Sequence, residues 1–216
     1  IACGYHGGDP STMRETVRIA KAAGIAIGAH PGFPDLMGFG RRMMTIAPNE
    51  MADATLYQIG ALAAIAKTEG MTLAHVKPHG AFYKACSIDM ALSKAIGAAI
   101  ASYDPSLFLV LLAGPGADAA EAAGARVARE AFIDLDYDAD GGLIIERVPA
   151  PRDPAVVAAR AVRVVKDGKL AKAGGGDMDV GVATLCLHGD RANSAEVARV
   201  VKQTLLSNGI AVAPLK

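Results

Sequence analysis

MTLAHVKPHG, residues 71–80, is the stretch from which the fold is read. Its first half is short and mostly apolar and reads as a strand. Its second half turns through Pro78 and Gly80 and presents Lys77 and His79. The same strand-then-turn grammar recurs on both sides. Upstream, IAIGAH (25–30) reads as a strand running into the Gly/Pro-rich loop PGFPDLMGFGRR (31–42), and IAC (1–3) as the end of another strand. Downstream, LFLVLLAG (107–114), RVAREAFID (126–134), VATLCLHGD (182–190) and a last IAVAP (210–214) read as strands. Between them the spacing predicts helices over 10–24, 49–69, 89–103, 117–124, 153–168 and 193–209. Pro10 suits a first helical turn, Thr12 and Glu15 have capping-box spacing, and Gly24, Gly70 and Gly168 act as stops. Residues 134–152 form a polar excursion, and KAGGGDMDVG (172–181) a glycine-rich loop.

Strands alternating with helices imply parallel pairing through right-handed crossovers. The chain of 216 residues suits one domain spanning 1–216. About six strands are one or two short of a closed barrel, so the expected fold is a (β/α) barrel whose N-terminal strand is missing from this sequence. An open, doubly wound sheet is the runner-up.

Composition narrows the function classes. Hydrophobic residues make up 52% and charged residues 20%, so the chain can bury a core and is not disordered. No apolar run approaches the roughly 20 residues of a membrane span. Twenty-two basic residues balance 22 acidic ones, which leaves no basic face for nucleic acid. Three widely spaced cysteines, with no CxxC, predict free thiols and a reducing cytoplasm. At 5% aromatic residues, stacking platforms for sugars are scarce.

The chemistry is carried by histidines. Of five, four fall at the end of an expected strand: His6 after IAC, His30 after AIGA, His79 after VKP and His188 after TLCL. In a parallel α/β fold those ends gather on one face, where such folds place their chemistry. His75 lies inside its strand and is expected in the core or behind the site. Each histidine has a polar companion: Asp9 in HGGD, Asp35 in HPGFPD, Lys77 in KPHG, and Asp190 in HGD. Imidazoles with carboxylates can transfer protons near neutral pH or hold a divalent metal, for which His6, His30 and His79 are the candidate ligands. Asp9, just before Pro10, is equally suited to cap a helix. Arg41 and Arg42 can clamp a substrate carboxylate. No zincin, Walker, GxGxxG or GxSxG pattern is present, and AGPG and AGGGD lack the context of a nucleotide loop.

ACGYHGGDPSTM, IGAHPGFPDLMGFGRR, YQIGAL, HVKPHGAFY and CLHGD together resemble the LamB/YcsF family, in order and over nearly the whole chain. The resemblance implies a (β/α)7-type barrel related to glycoside-hydrolase and polysaccharide-deacetylase folds. It implies the A-subunit of an ATP-dependent 5-oxoprolinase, which opens the lactam of 5-oxo-L-proline to L-glutamate with subunits B and C. ATP is then a cosubstrate, accompanied by Mg²⁺ or another divalent ion. His6, Asp9, His30, Lys77, His79 and His188 become the expected catalytic residues, with Asp35, Arg41, Arg42 and Asp190 on the substrate. Two departures stand out. The family's acidic strand upstream of the ACGxH block is absent here, and Leu135 stands where the family usually has an arginine. Two rival readings are a stand-alone, metal-dependent amide or deacetylase-type hydrolase and a non-catalytic 5-oxoproline-binding or scaffold subunit. Self-association is left open by the neutral surface charge.

Overall fold

The computed structural model describes residues 1–144, 146 and 148–215. The chain divides into two compact units, Ile1–Ala128 and the residues from Arg129 onward.

The first unit opens with Ile1 and Ala2 lying beside the strand that follows. The Ile1 nitrogen donates to the Gly28 carbonyl (2.7 Å), the His30 amide donates to the Ile1 carbonyl (2.9 Å), and Ala2 bridges His30 in parallel. α1 (Pro10–Ala22) starts where Pro10 needs no hydrogen-bond acceptor. Its cap is Asp9, not the Thr12–Glu15 pair. The Asp9 carboxylate accepts from the amides of Ser11 (2.8 Å) and Thr12 (3.0 Å), and Thr12 spends its hydroxyl on that same carboxylate (2.6 Å). Met13 and Val17, one helical turn apart, bury the inner face.

β1 (Ile27–Ala29) is wholly buried. α2 (Pro48–Thr68) buries Met51, Thr55, Gln58, Ile59, Leu62 and Ala66, a stripe at three- and four-residue spacing. β2 (Leu73–Val76) follows, then α3 (Gly80–Ile88) and α4 (Met90–Tyr103) with only Asp89 between them. The Asp89 side chain accepts from the Leu92 amide (3.0 Å), so the residue that ends one helix also caps the next. β3 (Phe108–Leu112), α5 (Pro115–Ala122) and the start of β4 (Arg126–Phe132) complete the unit. β1 pairs parallel with β2, Gly28 opposite His75, and β2 pairs parallel with β3, His75 opposite Phe108. His75 is therefore a half-buried strand residue.

The second unit carries two small hairpins and two helices around a parallel strand pair. β5 (Asp136–Tyr137) and β6 (Leu143–Ile144) form an antiparallel hairpin inside the polar excursion; Ile145 and Arg147 of that stretch lie outside the described residues. The buried Tyr137 hydroxyl accepts from the Phe132 amide (2.8 Å) and ties the hairpin to β4. α6 (Pro154–Asp167) is capped by Asp153 and closed by Gly168 in the left-handed conformation. The stretch 172–181, expected as a glycine-rich loop, is only partly loop: residues 172–176 turn a second antiparallel hairpin, in which β7 (Lys169–Ala171) pairs with β8 (Asp177–Asp179), a strand within the stretch. β9 (Thr184–Cys186) pairs parallel with β4, and α7 (Ser194–Ser207) follows. The expected strand at 210–214 is not formed. The Ile210 amide is taken by the Leu205 carbonyl at the end of α7 (3.0 Å), and Val212 is exposed, so the run has no sheet to join. The architecture is thus mixed α/β, with parallel strands and intervening helices. Among the described residues no single helix is long and apolar enough to cross a membrane.

Candidate active site

Three of the four strand-end histidines meet in the first unit. His6 sits in the turn after Ala2, His30 directly after β1, and His79 after β2 as the residue before α3. His6 and His79 are buried and His30 is half-buried. The His30 Nδ1 lies 2.6 Å from the Lys77 carbonyl, the His30 Nε2 lies 3.0 Å from the His79 Nδ1, and the His79 Nε2 lies 2.8 Å from the Phe39 carbonyl. A carbonyl oxygen only accepts, so the two outer contacts each require a ring N–H. Two neutral imidazoles supply just those two protons. The central contact then faces lone pair to lone pair, and it becomes a hydrogen bond only when the pair takes up a third proton.

Burial first, and then the neighbouring His79, hold His6 down to about 3 and His30 down to about 2, so both rings are neutral in the resting state. His6 lies face to face on His79, with centroids 3.8 Å apart and planes 3° from parallel, and edge-on to His30. Its Nδ1 is buried with no hydrogen-bond partner among the described residues.

Ligand atoms of His6, His30 and His79 all lie within 4.8 Å of one another, which meets the distance test for a metal centre. Orientation fails it. An imidazole binds a metal along a lone pair in the plane of its ring, and the planes of His6 and His79 are parallel and stacked. No single ion lies in both planes, so the trio as arranged does not fit a three-histidine metal centre.

The loop over the cluster is held by Gln58, which lies in the YQIGAL block but is not among the residues expected at the site. Gln58, fully buried on α2, accepts from the Gly32 amide (2.9 Å) and donates to the Gly32 carbonyl (3.1 Å). It acts as a strand partner for one residue. Glycine is required on this loop, because a Cβ at Gly32 would fall 2.5 Å from the His6 Nδ1 and one at Gly40 would fall 2.8 Å from both His6 and His79. Phe39 adopts a positive φ of 53°, aiming its carbonyl at His79 and its ring edge-on at His6. The signal for Gln58 was one amide in an apolar helical stripe.

The other expected residues are placed as follows. Lys77 gives its carbonyl to His30, and its Nζ lies 5.8 Å from the Tyr83 ring centre. Asp9 is the exposed cap of α1. Asp35 is buried and bound by Arg42 through Nε (2.9 Å) and Nη2, and by the Gly38 amide (2.9 Å). The Arg42 guanidinium holds the Asp35 carboxyl down to about 2. These two residues thus pair with each other and line a cavity of about 290 Å³ with Gly4, Tyr5, Pro34, Leu36 and Met37. Arg41 is exposed, its guanidinium 5.4 Å from the Phe39 ring centre. His188 belongs to the second unit, where it bonds Asp134, and Asp190 is exposed two residues beyond.

This parallel α/β unit with a histidine cluster at its strand ends is similar to known proteins. A 5-oxoprolinase A-subunit from Thermus thermophilus is 49% identical over 216 residues, covering 98% of this chain and 86% of that relative. A 5-oxoprolinase A-subunit from Thermococcus onnurineus is 44% identical over 218 residues, covering 100% of this chain and 86% of the relative. Among solved structures, the lactam utilization protein from Thermus thermophilus superposes with a TM-score of 0.89 at 45% identity, covering 99% of this chain and 87% of that one. The LamB/YcsF family profile matches residues 1–216, and the chain belongs to the LamB/YcsF family.

Proposed function

We propose that this chain is the A-subunit of an ATP-dependent 5-oxoprolinase, working in the cytoplasm with subunits B and C and folded as a (β/α)7-type barrel. The observation that carries the reading is identity of 43–49% to relatives named as that component of 5-oxoprolinase, along essentially the whole chain. The histidine cluster offers groups of the kind the chemistry asks for. A five-membered lactam is a stable amide, and its carbonyl must be activated before water can attack at neutral pH. ATP supplies that activation: the lactam oxygen attacks the γ-phosphorus and ADP leaves. One water then adds to the lactam carbon, and the C–N bond breaks to give the amine and an acyl phosphate. A second water releases phosphate and leaves glutamate.

Each water gives up a proton as it attacks, and an imidazole is a side chain that can receive it. A proton between His30 and His79 would create the missing N–H···N bond, and with His30 held down to about 2 that place is a transient stop for a proton, empty at rest. His6 lies face to face on His79 beside this contact. The expected catalytic set also includes Asp9, Lys77 and His188, and the expected substrate-binding set is Asp35, Arg41, Arg42 and Asp190. No step is routed through a metal on the trio, since its orientation does not fit one.

The test is release of glutamate and ADP from 5-oxoproline and ATP, with the chain alone and with subunits B and C. Coupled turnover confined to the complex and reduced about 10²-fold or more by His79→Ala supports the reading. Turnover by the chain alone, or an unaffected His79→Ala complex, overturns it.

A further inference from the structure

The second unit holds a histidine–carboxylate pair that no local motif announces. Phe132 of β4 is paired in register with Cys186 of β9. Two residues past each partner, the parallel register sets Asp134 opposite His188. The Ile133 amide still donates to the Cys186 carbonyl (3.2 Å), so the alignment holds into the turn. There the Asp134 carboxylate accepts from the His188 amide (2.8 Å), and both its oxygens lie 3.1 Å from the His188 Nδ1.

An ionised carboxylate only accepts, so Nδ1 carries the proton and Nε2 of the neutral ring carries the lone pair. Burial would push the Asp134 carboxyl up, but the bonds from the His188 ring and amide outweigh it, with help from Arg191, and hold it below the usual range. Asp134 is 2% exposed, whereas the His188 side chain is 33% exposed. The ring stacks on Phe132, with centroids 5.4 Å apart at 21°.

Behind Asp134 stands Arg191, 5% exposed. Its Nη2 donates to the Asp134 carbonyl (3.3 Å), its Nε lies 3.6 Å from the carboxylate, and its Nη1 donates to Glu146 (2.9 Å). A loop brace would need only the bond from the His188 amide. The further bonds to the ring fix an otherwise solvent-facing imidazole in one tautomer and one orientation. That is the arrangement by which a buried carboxylate prepares a histidine for proton transfer.

We propose that Asp134 is a positioning residue that locks His188 with Nε2 unprotonated and facing outward, as a proton acceptor for an attacking water. As the water oxygen bonds to the acyl carbon, its O–H bond breaks and the proton passes to Nε2. The imidazolium formed is stabilised by Asp134 and returns the proton to the leaving nitrogen as the C–N bond breaks. The catalytic part of this proposal rests on the lactam-opening reading above; the positional part does not.

The experiment has two arms. Two-bond ¹H–¹⁵N spectra of the ¹⁵N-histidine-labelled full chain read the tautomer of His188. The Nδ1–H form is expected in the wild type, and an Nε2–H form overturns the proposal whether or not any variant folds. In Asp134→Asn the side-chain amide can donate to Nδ1, so a switch to the Nε2–H form is expected. In the complex with subunits B and C, Asp134→Asn should lower kcat about 10²- to 10⁴-fold with KM within a few-fold, and His188→Gln should match it. A change under about threefold in kcat for either folded variant overturns the catalytic part. A wild-type complex that does not turn over 5-oxoproline defeats the lactam-opening reading, and the catalytic part with it, while the tautomer still decides what Asp134 does.

Discussion

A buried imidazole is neutral for want of a partner charge, and this has a thermodynamic consequence at His30. Its folded value of about 2 lies well below the roughly 6.5 of an exposed histidine. Between those values the unfolded chain binds a proton that the folded chain refuses. Stability is therefore fully present above about pH 6.5 and drains as the pH falls toward 2, by up to about 1.4 kcal/mol per pH unit for this one residue. His6, held to about 3, pulls in the same direction. Urea unfolding at pH 7.5, 6 and 5 should show the midpoint falling at each step, before the carboxylates titrate. A flat profile would mean that the cluster accepts its third proton without unfolding. The four strand-end positions were legible because a histidine after an apolar run stands out. Asp134 was not. Its role comes from the register of β4 against β9, a pairing of residues 54 apart that no local spacing announces.

At the scale of elements, helices announced themselves wherever they carry their own ends. Pro10 behind Asp9, Pro154 behind Asp153, and Gly168 at the close of α6 each satisfy or remove a terminal backbone group locally. α3 was hidden because His79 supplies no side-chain cap and a single residue separates α3 from α4. The run at 210–214 misled in the opposite sense, since apolar composition cannot make a strand without a neighbour. The loop above the histidines was illegible for a third reason: its path depends on a helix far along the chain. Gln58 on α2 makes both backbone bonds of Gly32. Gln58→Leu should therefore leave a buried N–H and C=O unpaired and cost about 3 kcal/mol, read from the urea midpoint. A loss under about 0.5 kcal/mol would show that Gly32 is satisfied some other way. The same variant should lower turnover of the complex, because Gly32 rests against His6.

At the scale of the whole molecule charge cancels in total, 22 basic residues against 22 acidic, and in the second unit it cancels locally as well. In the second unit Asp134, Arg191, Glu146, Arg152, Asp136 and Arg160 alternate in sign, each within ion-pair reach of the next. Asp134 thereby keeps its charge under burial without leaving a net charge around it. The sequence showed the balance of 22 against 22 but not this ordering, which is a property of folded neighbours. A further property reaches both units. All three cysteines are thiols rather than disulfides, and Cys3, Cys86 and Cys186 are 2%, 0% and 8% exposed. Burial raises the Cys3 and Cys86 thiols, which suppresses the reactive thiolate as well as hiding it. The thiols are thus clocks wound into the interior: alkylation can proceed only as fast as the chain around each one opens. With peptide-resolved mass spectrometry, Cys3 and Cys86 time the opening of the first unit and Cys186 that of the second. Each should label at least about 100-fold more slowly than free cysteine in native buffer, and at its full rate in denaturant. Fast labelling at one site alone would show which unit breathes first.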